Sequence, residues 1–447
     1  MHQSICGIQI RKLDRYRSSI HTLIGCLFTA VLALPANAAE TSDTTMTLGS
    51  AIQLALSQNP DLRVYRFREI GLQGLAQTAN LRPQFDLSAE AENIGGTDDY
   101  GGADSAEFTL ALSSVIELGG KREARVTAVT AQRQLIDGER QARALDLLGE
   151  VTRRYVGVVA TQALLDLAIN SRSLAQEVVE SVKRRTLAGA APEAELLRAR
   201  AQLTQAELAV NEAQNRLRAS RLSLSVLWGD AEPDFVRVDG DLRNLGIVGD
   251  FDTLFLRAIE NPAIAIFASE ERLREAEYQL AKAQSSGDIG WSLGVRQFQD
   301  TNDTALVAGL NIPLNSAKRN SGALQSARAA REEVAARRES ALLNLRGNLF
   351  DAYQQRKLGI ETANSLRTEV IPTLTRALEE TRKAYENGRY GYQEWAAARQ
   401  ELISAEYALI AAASSALQSG ATIEQLTSEP LLPLLEPGST ENEQETD

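Results

Sequence analysis

The chain has 447 residues and carries a formal net charge of −12 at pH 7, and 44% of its residues are apolar. This apolar content is enough to bury a core. The negative balance argues against nucleic acid as a partner.

The first 38 residues have the three parts of a secretory signal peptide. Basic residues lie between Arg11 and Arg17, an apolar run covers 20–34, and Ala-Asn-Ala at 36–38 is a small-residue cleavage site. A lipoprotein box, Leu-Ile-Gly-Cys ending at Cys26, is the alternative interpretation. Both histidines and both cysteines of the chain lie in this leader. The mature chain therefore offers no disulfide, thiol nucleophile or soft-metal ligand set.

After the leader, the chain repeats one plan twice. The first repeat is predicted over 39–245 and the second over 246–427, and each opens with a helix broken at Asn59-Pro60 or Asn261-Pro262. Two short strands, a long outgoing helix and a return helix follow in both repeats. The acidic segment 428–447 is predicted to be a disordered tail.

Four stretches alternate apolar and polar side chains and are predicted to be strands, at about 84–94, 105–115, 289–300 and 304–313. In the first stretch Asp86, Glu90 and Glu92 share the polar face. A length of roughly ten residues suits a tilted strand that crosses a bilayer, whereas a small soluble sheet with one wet face is the alternative. Because about eight strands are needed to close a barrel, several chains would share one, and three copies would supply twelve strands.

The helices carry the period of coiled-coil packing. The return helices of the two repeats have apolar side chains spaced alternately four and three residues apart, at Ala199, Leu203, Ala206, Val210, Ala213 and Leu217, and at Ala398, Leu402, Ala405, Leu409, Ala412 and Ala416. An outgoing helix of about 70 residues would span roughly 100 Å, far more than a globular core requires. An ordinary helical bundle would explain these heptads but not the strands.

Two glycine-containing stretches separate the outgoing helices from the return helices. RRTLAGAAPEAEL lies over 184–196, with a turn expected near Gly189, and KAYENGRYGYQEW lies over 383–395, with a turn expected near Gly388. Both glycines supply the left-handed conformation that ends a helix. Pro192 is predicted in the first turn of the next helix, and Gly391 is a second glycine of the other turn.

Several motifs in this order resemble those of the TolC-like outer-membrane factors. They are TLGSAIQLALSQNPDLR at 47–63, LRPQFDL at 81–87, IELGGKREAR at 116–125, IPLNSAKRNSG at 312–322 and the two turn stretches. The resemblance covers essentially all of 47–427. The form IELGGKREAR is most similar to the branch that serves divalent heavy-metal cation pumps.

This resemblance implies a fold class that is mainly α with a small β part. We expect a homotrimer with a twelve-stranded β-barrel in the lipid of the outer membrane of a Gram-negative bacterium, continued by an α-helical barrel tunnel in the periplasm. It also implies a passive exit duct that joins a periplasmic adaptor, or membrane fusion protein, and an inner-membrane RND pump. Divalent heavy-metal cations are the expected cargo, and drug efflux and type I protein secretion are alternatives. Neither a cofactor nor a resident metal is expected.

The resemblance also places a periplasmic gate at the two turns. By position, Tyr385 and Glu195 become a hydrogen-bonded latch, and Glu394 from three chains becomes an acidic ring. The family's second acidic position is Ala397 here, so a single ring is expected. Tyr390 stands where a basic link is often found, and the adjacent Arg389 is its candidate substitute.

Three acidic residues, Asp86, Glu90 and Glu92, are expected to line the barrel lumen and to favour cations by Coulomb attraction. Two other classes of protein remain as alternatives. An enzyme would need a paired-carboxylate site, since the chain has no phosphate loop or dinucleotide fingerprint. A soluble periplasmic coiled-coil adaptor would have the helices without membrane strands.

Overall fold

The computed structural model of the protein describes residues 45–429. The predicted leader and the tail beyond Glu429 lie outside the described residues. The first repeat contains β1 (Thr45–Met46), α1 (Leu48–Gln58), α2 (Pro60–Ala79), β2 (Asp86–Glu92), β3 (Glu107–Ile116), α3 (Lys121–Leu187) and α4 (Glu193–Ser225). The strand β4 (Arg237–Val238) lies in the segment that leads to the second repeat, which contains α5 (Phe251–Ala258), α6 (Pro262–Gln284), β5 (Ile289–Phe298), β6 (Thr304–Asn311), α7 (Ser316–Arg319), α8 (Ser321–Ser365), α9 (Ile371–Glu386) and α10 (Tyr392–Thr427).

The two Asn-Pro breaks make the same contacts in both repeats. The Asn59 side-chain oxygen accepts a hydrogen bond from the backbone of α2, and its amide donates to the Leu227 carbonyl over 2.7 Å. Asn261 caps α6 in the same way and donates to the Gln425 carbonyl over 2.8 Å. Each asparagine thus starts a helix and ties it to the far end of its own repeat's return helix.

The two repeats join in one antiparallel sheet of order β2-β3-β5-β6. Its register places the alternating residues of all four strands on two distinct faces. One face is apolar and exposed, and its large side chains include Leu87, Phe108, Leu110, Leu293, Val295, Leu306 and Leu310. An exposed apolar surface of this extent needs an apolar environment or a partner to cover it.

A small parallel pair, β1 with β4, lies outside this sheet and was not predicted from the sequence. Each strand of the pair is two residues long, which is too short for alternation to be seen. The pair connects the start of the first repeat to the segment that joins the two repeats. Tyr155 on α3 packs beneath it, 1% exposed, and donates a hydrogen bond to the Met46 carbonyl over 3.0 Å.

The core is divided into clusters along the helix pairs. The heptad seam predicted for the return helices is confirmed by burial, because Ala199, Val210 and Ala213 are buried on α4 whereas Leu208, off the seam, is 62% exposed. On α10 the seam residue Ala416 is completely buried against α8. Small side chains at these positions allow the helices to approach closely.

The outgoing helices of the two repeats differ. The first, α3, is continuous over 67 residues. The second consists of α8, a π-helical turn over Leu366–Val370, and α9. Pro372 follows this turn and lacks the N–H that would bond the preceding turn, which is a recognised cause of such a break. Among residues 45–429, no helix is both long and apolar enough to cross a membrane.

Candidate functional site

Both outgoing helices end in the same kind of turn. Gly189 has φ +72°, and the N–H of Ala190 donates to the Arg185 carbonyl over 2.8 Å. Gly388 has φ +71°, and the N–H of Arg389 closes the second turn in the same way over 2.8 Å. This is the Schellman motif, in which a left-handed glycine allows the chain to satisfy the last carbonyls of a helix.

Pro192 and Gly391 lie in these turns with extended backbones. Pro192 precedes α4 and is not part of its first turn, with φ −68° and ψ 149°. The expectation for Pro192 is therefore wrong, because proline fixes only φ and an extended ψ turns the chain from α3 into α4. Gly391 precedes α10 with φ −85° and ψ 172°, a conformation open to any residue.

The side chains of Tyr385 and Glu195 meet between the two hairpins. Tyr385 is 1% exposed, and its hydroxyl donates to the Glu195 carboxylate over 3.1 Å. The tyrosine ring packs against Trp395, with centroids 5.0 Å apart. Burial, followed by the hydrogen bond to the carboxylate, raises the pKa of Tyr385 to about 12. The phenol therefore remains a protonated donor at neutral pH, and the side-chain pair is a direct link from α9 to α4.

Arg185 at the end of α3 supports the same tyrosine. Its guanidinium carbon lies 4.6 Å from the centroid of the Tyr385 ring, within the range of a cation–π contact. The guanidinium also donates to the Glu386 carbonyl over 2.8 Å. Arg185 thus holds the end of α9 against the end of α3, a role that sequence analysis missed.

A second link lies one heptad further along α4. The Tyr392 hydroxyl donates to the Gln202 side-chain oxygen over 2.8 Å, and a guanidinium nitrogen of Arg399 donates to the same oxygen over 2.5 Å. Gln202 follows Glu195 by seven residues on α4, so both acceptors lie on one face of that helix, whereas Tyr392 begins α10 on the other side of the turn from Tyr385. The spacing on α4 was a sequence signal for Gln202 only.

Arg399 is buried in an unusual environment. Its side chain is 7% exposed, two of its nitrogens have no hydrogen-bond partner within residues 45–429, and the partner of the third is the neutral Gln202. Burial lowers the pKa of Arg399. A buried cation without a carboxylate destabilises the packed hairpins relative to a hydrated state.

The other predicted gate residues are not joined to this link in the single chain. Glu394, Arg389 and Tyr390 are exposed, and no side-chain hydrogen bond or ion pair joins any of them to the part of the chain that the structure describes. Their side chains face outward from the tip. They are accessible to other molecules.

The predicted lumen acids lie on the polar face of the sheet. Asp86, Glu90 and Glu92 are exposed, and Glu92 forms an ion pair with Arg296 of β5 over 2.9 Å. Arg296 also binds Glu107, which sequence analysis did not select. Within residues 45–429, no group of three or more His, Cys, Asp or Glu side chains is placed to hold a metal ion.

An open sheet with one exposed apolar face and one charged face, joined to two long helical hairpins, defines a membrane-inserted channel subunit with a helical extension. The chain belongs to the outer membrane efflux protein family, whose model matches residues 51–230 and 257–429. The predicted family, outer-membrane location and role in efflux are confirmed by this match.

Two relatives are named for resistance to metals. The cobalt-zinc-cadmium resistance protein CzcC of Cupriavidus metallidurans is 27% identical over 336 residues, which are 74% of this chain and 78% of that protein. The nickel-cobalt-cadmium resistance protein NccC of Alcaligenes xylosoxydans xylosoxydans is 24% identical over 60% of this chain and 61% of its own length.

A solved structure of CusC has the same fold. It superposes with a TM-score of 0.72 at 16% identity and covers 85% of this chain and 92% of its own. Conformational changes of CusC accompany its folding and the formation of a transmembrane channel. The predicted fold class, mainly helical with a small sheet and two repeats, is confirmed.

Proposed function

We propose that the protein is the passive outer-membrane duct of a tripartite RND-type efflux system and that its cargo is divalent heavy-metal cations. The observation that supports a duct is the open sheet. Among the described residues, β2 pairs only with β3 and β6 pairs only with β5, so each sheet has two unpaired edges. Open edges are not tolerated in lipid, and identical copies can pair them.

A homotrimer would supply twelve strands, an even number as bacterial barrels have. In it the exposed apolar face would meet lipid and the face with Asp86 and Glu90 would meet water. The long hairpins would continue the pore into the periplasm, where an adaptor and an inner-membrane pump would deliver cargo. The protein would perform no chemistry on that cargo.

Two observations support metal cations as the cargo. Both metal-resistance relatives align with more than half of the chain. The polar face of the sheet carries Asp86, Glu90, Glu92 and Glu107 against a single basic residue, Arg296. Such a lining attracts cations, and selection among metals would belong to the pump and the adaptor.

The hairpin tips are proposed as the gate of this duct. The Tyr385–Glu195 hydrogen bond would hold the second hairpin against the first in the closed state. Exposed Glu394 from three copies would form a single acidic ring, and Arg389 and Tyr390 would contact neighbouring copies. Opening would separate the hairpins and break the Tyr385 bond.

The cargo is tested by deleting the gene and measuring growth on cobalt, zinc, cadmium and nickel. We expect lower tolerance of at least one metal, restored by the wild-type gene, and unchanged tolerance of dyes and detergents. Sensitivity to dyes and detergents with normal metal tolerance would instead identify a drug duct.

The sheet's orientation is tested with two adjacent residues of β6 that lie on opposite faces. Leu306 is 81% exposed on the apolar face, and Val307 lies on the polar face opposite Gly294. An arginine facing lipid costs about 2–4 kcal/mol at the bilayer midplane and less toward an interface, and a trimer would carry three copies of the substitution. Leu306→Arg should therefore abolish the heat-modifiable trimer in outer-membrane fractions, while Val307→Arg should retain it. The opposite result would reverse the assignment of the faces, and a monomeric wild-type protein would refute the trimer.

A further inference from the structure

Arg296 of β5 is the only basic residue in the four strands of the sheet, and it lies between two glutamates. Its guanidinium is 2.8 Å from the Glu107 carboxylate and 2.9 Å from the Glu92 carboxylate. Its Nε donates to the Thr109 hydroxyl over 2.9 Å. One side chain on β5 therefore binds residues of β3 and of β2, the next strand beyond it.

The strand register makes this arginine necessary for local charge balance. Glu92 and Glu107 are directly opposite each other in the β2–β3 ladder, and like charges in that position destabilise a sheet. Both carboxylates are only partly exposed, with side-chain exposures of 45% and 22%. Arg296 neutralises one of these two charges and occupies an oxygen of each carboxylate.

The three residues lie at the end of the sheet that is remote from the helices. Glu92 ends β2, Glu107 begins β3, and Arg296 lies close to the end of β5. The helices join the opposite end, where α2 precedes β2 and α3 follows β3. In the proposed duct this charged level would be the outer mouth, the last point that the cargo passes.

Two facing glutamates whose oxygens are free can bind a divalent cation. Hard divalent cations favour clustered carboxylate oxygens, and a strongly acidic ring would retain a cation at the mouth. A conducting pathway needs binding that is weak enough for the ion to leave. An arginine fixed to both carboxylates prevents such retention and leaves a net attraction for cations.

We propose that Arg296 sets the charge selectivity of the outer mouth and keeps its glutamates from retaining the outgoing divalent cation. The proposal rests on the proposed trimeric duct, in which three copies of Arg296 would face the same water-filled lumen. It assigns to Arg296 a role in specificity that is opposite in sign to that of the acidic residues of the same face.

The test is Arg296→Gln in purified trimers in planar bilayers, with reversal potentials measured in a potassium chloride gradient. Removing three unit charges at roughly 10 Å from the axis, with screening over about 8 Å, should raise the cation-to-anion permeability ratio about threefold. Addition of magnesium or zinc chloride to the outer side should reduce the conductance of Arg296→Gln at concentrations that leave the wild type unaffected. Arg296→Lys keeps the charge and should retain the wild-type permeability ratio.

An unchanged permeability ratio together with no new divalent block would overturn the proposal, even if Arg296→Gln lowered the heat stability of the trimer. If Arg296→Gln does not assemble into trimers, the double variant Glu92→Gln with Glu107→Gln tests the same level of the pore. Its cation-to-anion permeability ratio should fall below that of the wild type. Absence of channels in the wild type would instead refute the proposed duct.

Discussion

Replacement of Tyr385 by phenylalanine should open the proposed gate. The substitution removes one hydroxyl and retains the ring that packs against Trp395 and Arg185. The closed state loses the 3.1 Å hydrogen bond to the Glu195 carboxylate. The open state, in which the hairpins are separated, loses no hydrogen bond between protein groups, because water would solvate the Tyr385 hydroxyl and the Glu195 carboxylate there.

The size of the effect follows from the environment of the bond. A hydrogen bond to a charged group contributes about 1.5–3 kcal/mol to stability, and the lower value applies because Glu195 is only half-buried and can recover hydration. About 1.5 kcal/mol corresponds to roughly a tenfold change in the opening equilibrium of each subunit. If three subunits open together, the combined effect is roughly a thousandfold.

Single-channel recording in planar bilayers measures this directly as the fraction of time spent in the open state. Tyr392→Phe is the matched control, because it removes the same atom from a buried tyrosine whose acceptor, Gln202, is neutral. A neutral bond contributes about 0.5–1.5 kcal/mol, so this control should open less than Tyr385→Phe. Adding Glu195→Ala to Tyr385→Phe should add little, because both changes break one bond.

An equal open fraction in the wild type and Tyr385→Phe would refute the latch. A larger effect for Tyr392→Phe would show that the charged acceptor is not the source of the closed state's stability. Either conclusion requires that the variants form trimers with wild-type heat resistance.

Three further predictions concern residues on α9, α10 and α8. Burial raises the pKa of Tyr385 to about 12, above a free value of about 10. The contribution of its hydrogen bond to closure is therefore complete below pH ~10 and is lost as the pH rises toward ~12. The open fraction should increase only in that range. Arg399→Met should stabilise the packed hairpins by about 1 kcal/mol or more, because it removes a buried charge that has no carboxylate partner. Amide hydrogen exchange at the tip should become slower. Faster exchange would show that the buried charge does not destabilise the hairpins. Gly359→Ala should lower the thermal unfolding temperature, because the new Cβ would lie 2.9 Å from the Ala412 carbonyl of α10. Gly347→Ala on the same helix is the control, since its new Cβ meets nothing within 4 Å and should not lower that temperature.

The predictions that hold are those that depend on local pattern. Alternation placed the four strands, heptads placed the seams of α4 and α10, and Gly189 and Gly388 marked the two tips. Each depends on a period or on a backbone conformation that neighbouring residues impose. Pro192 was misplaced because the proline ring fixes φ and does not determine ψ.

Contacts between distant parts of the chain needed the tertiary structure, apart from the Tyr385–Glu195 bond, which followed from the family resemblance. Arg296 reaches Glu92 and Glu107 only because the two repeats pair in one sheet with one register. Gln202 and Arg399 meet only because the two hairpins pack against each other near their tips.

The sequence alone therefore determined the long helices, the four strands of the sheet, the duplication and the position of both turns. The tertiary structure decided which polar side chains satisfy one another, because burial, register and helix packing bring together groups that are far apart in the chain.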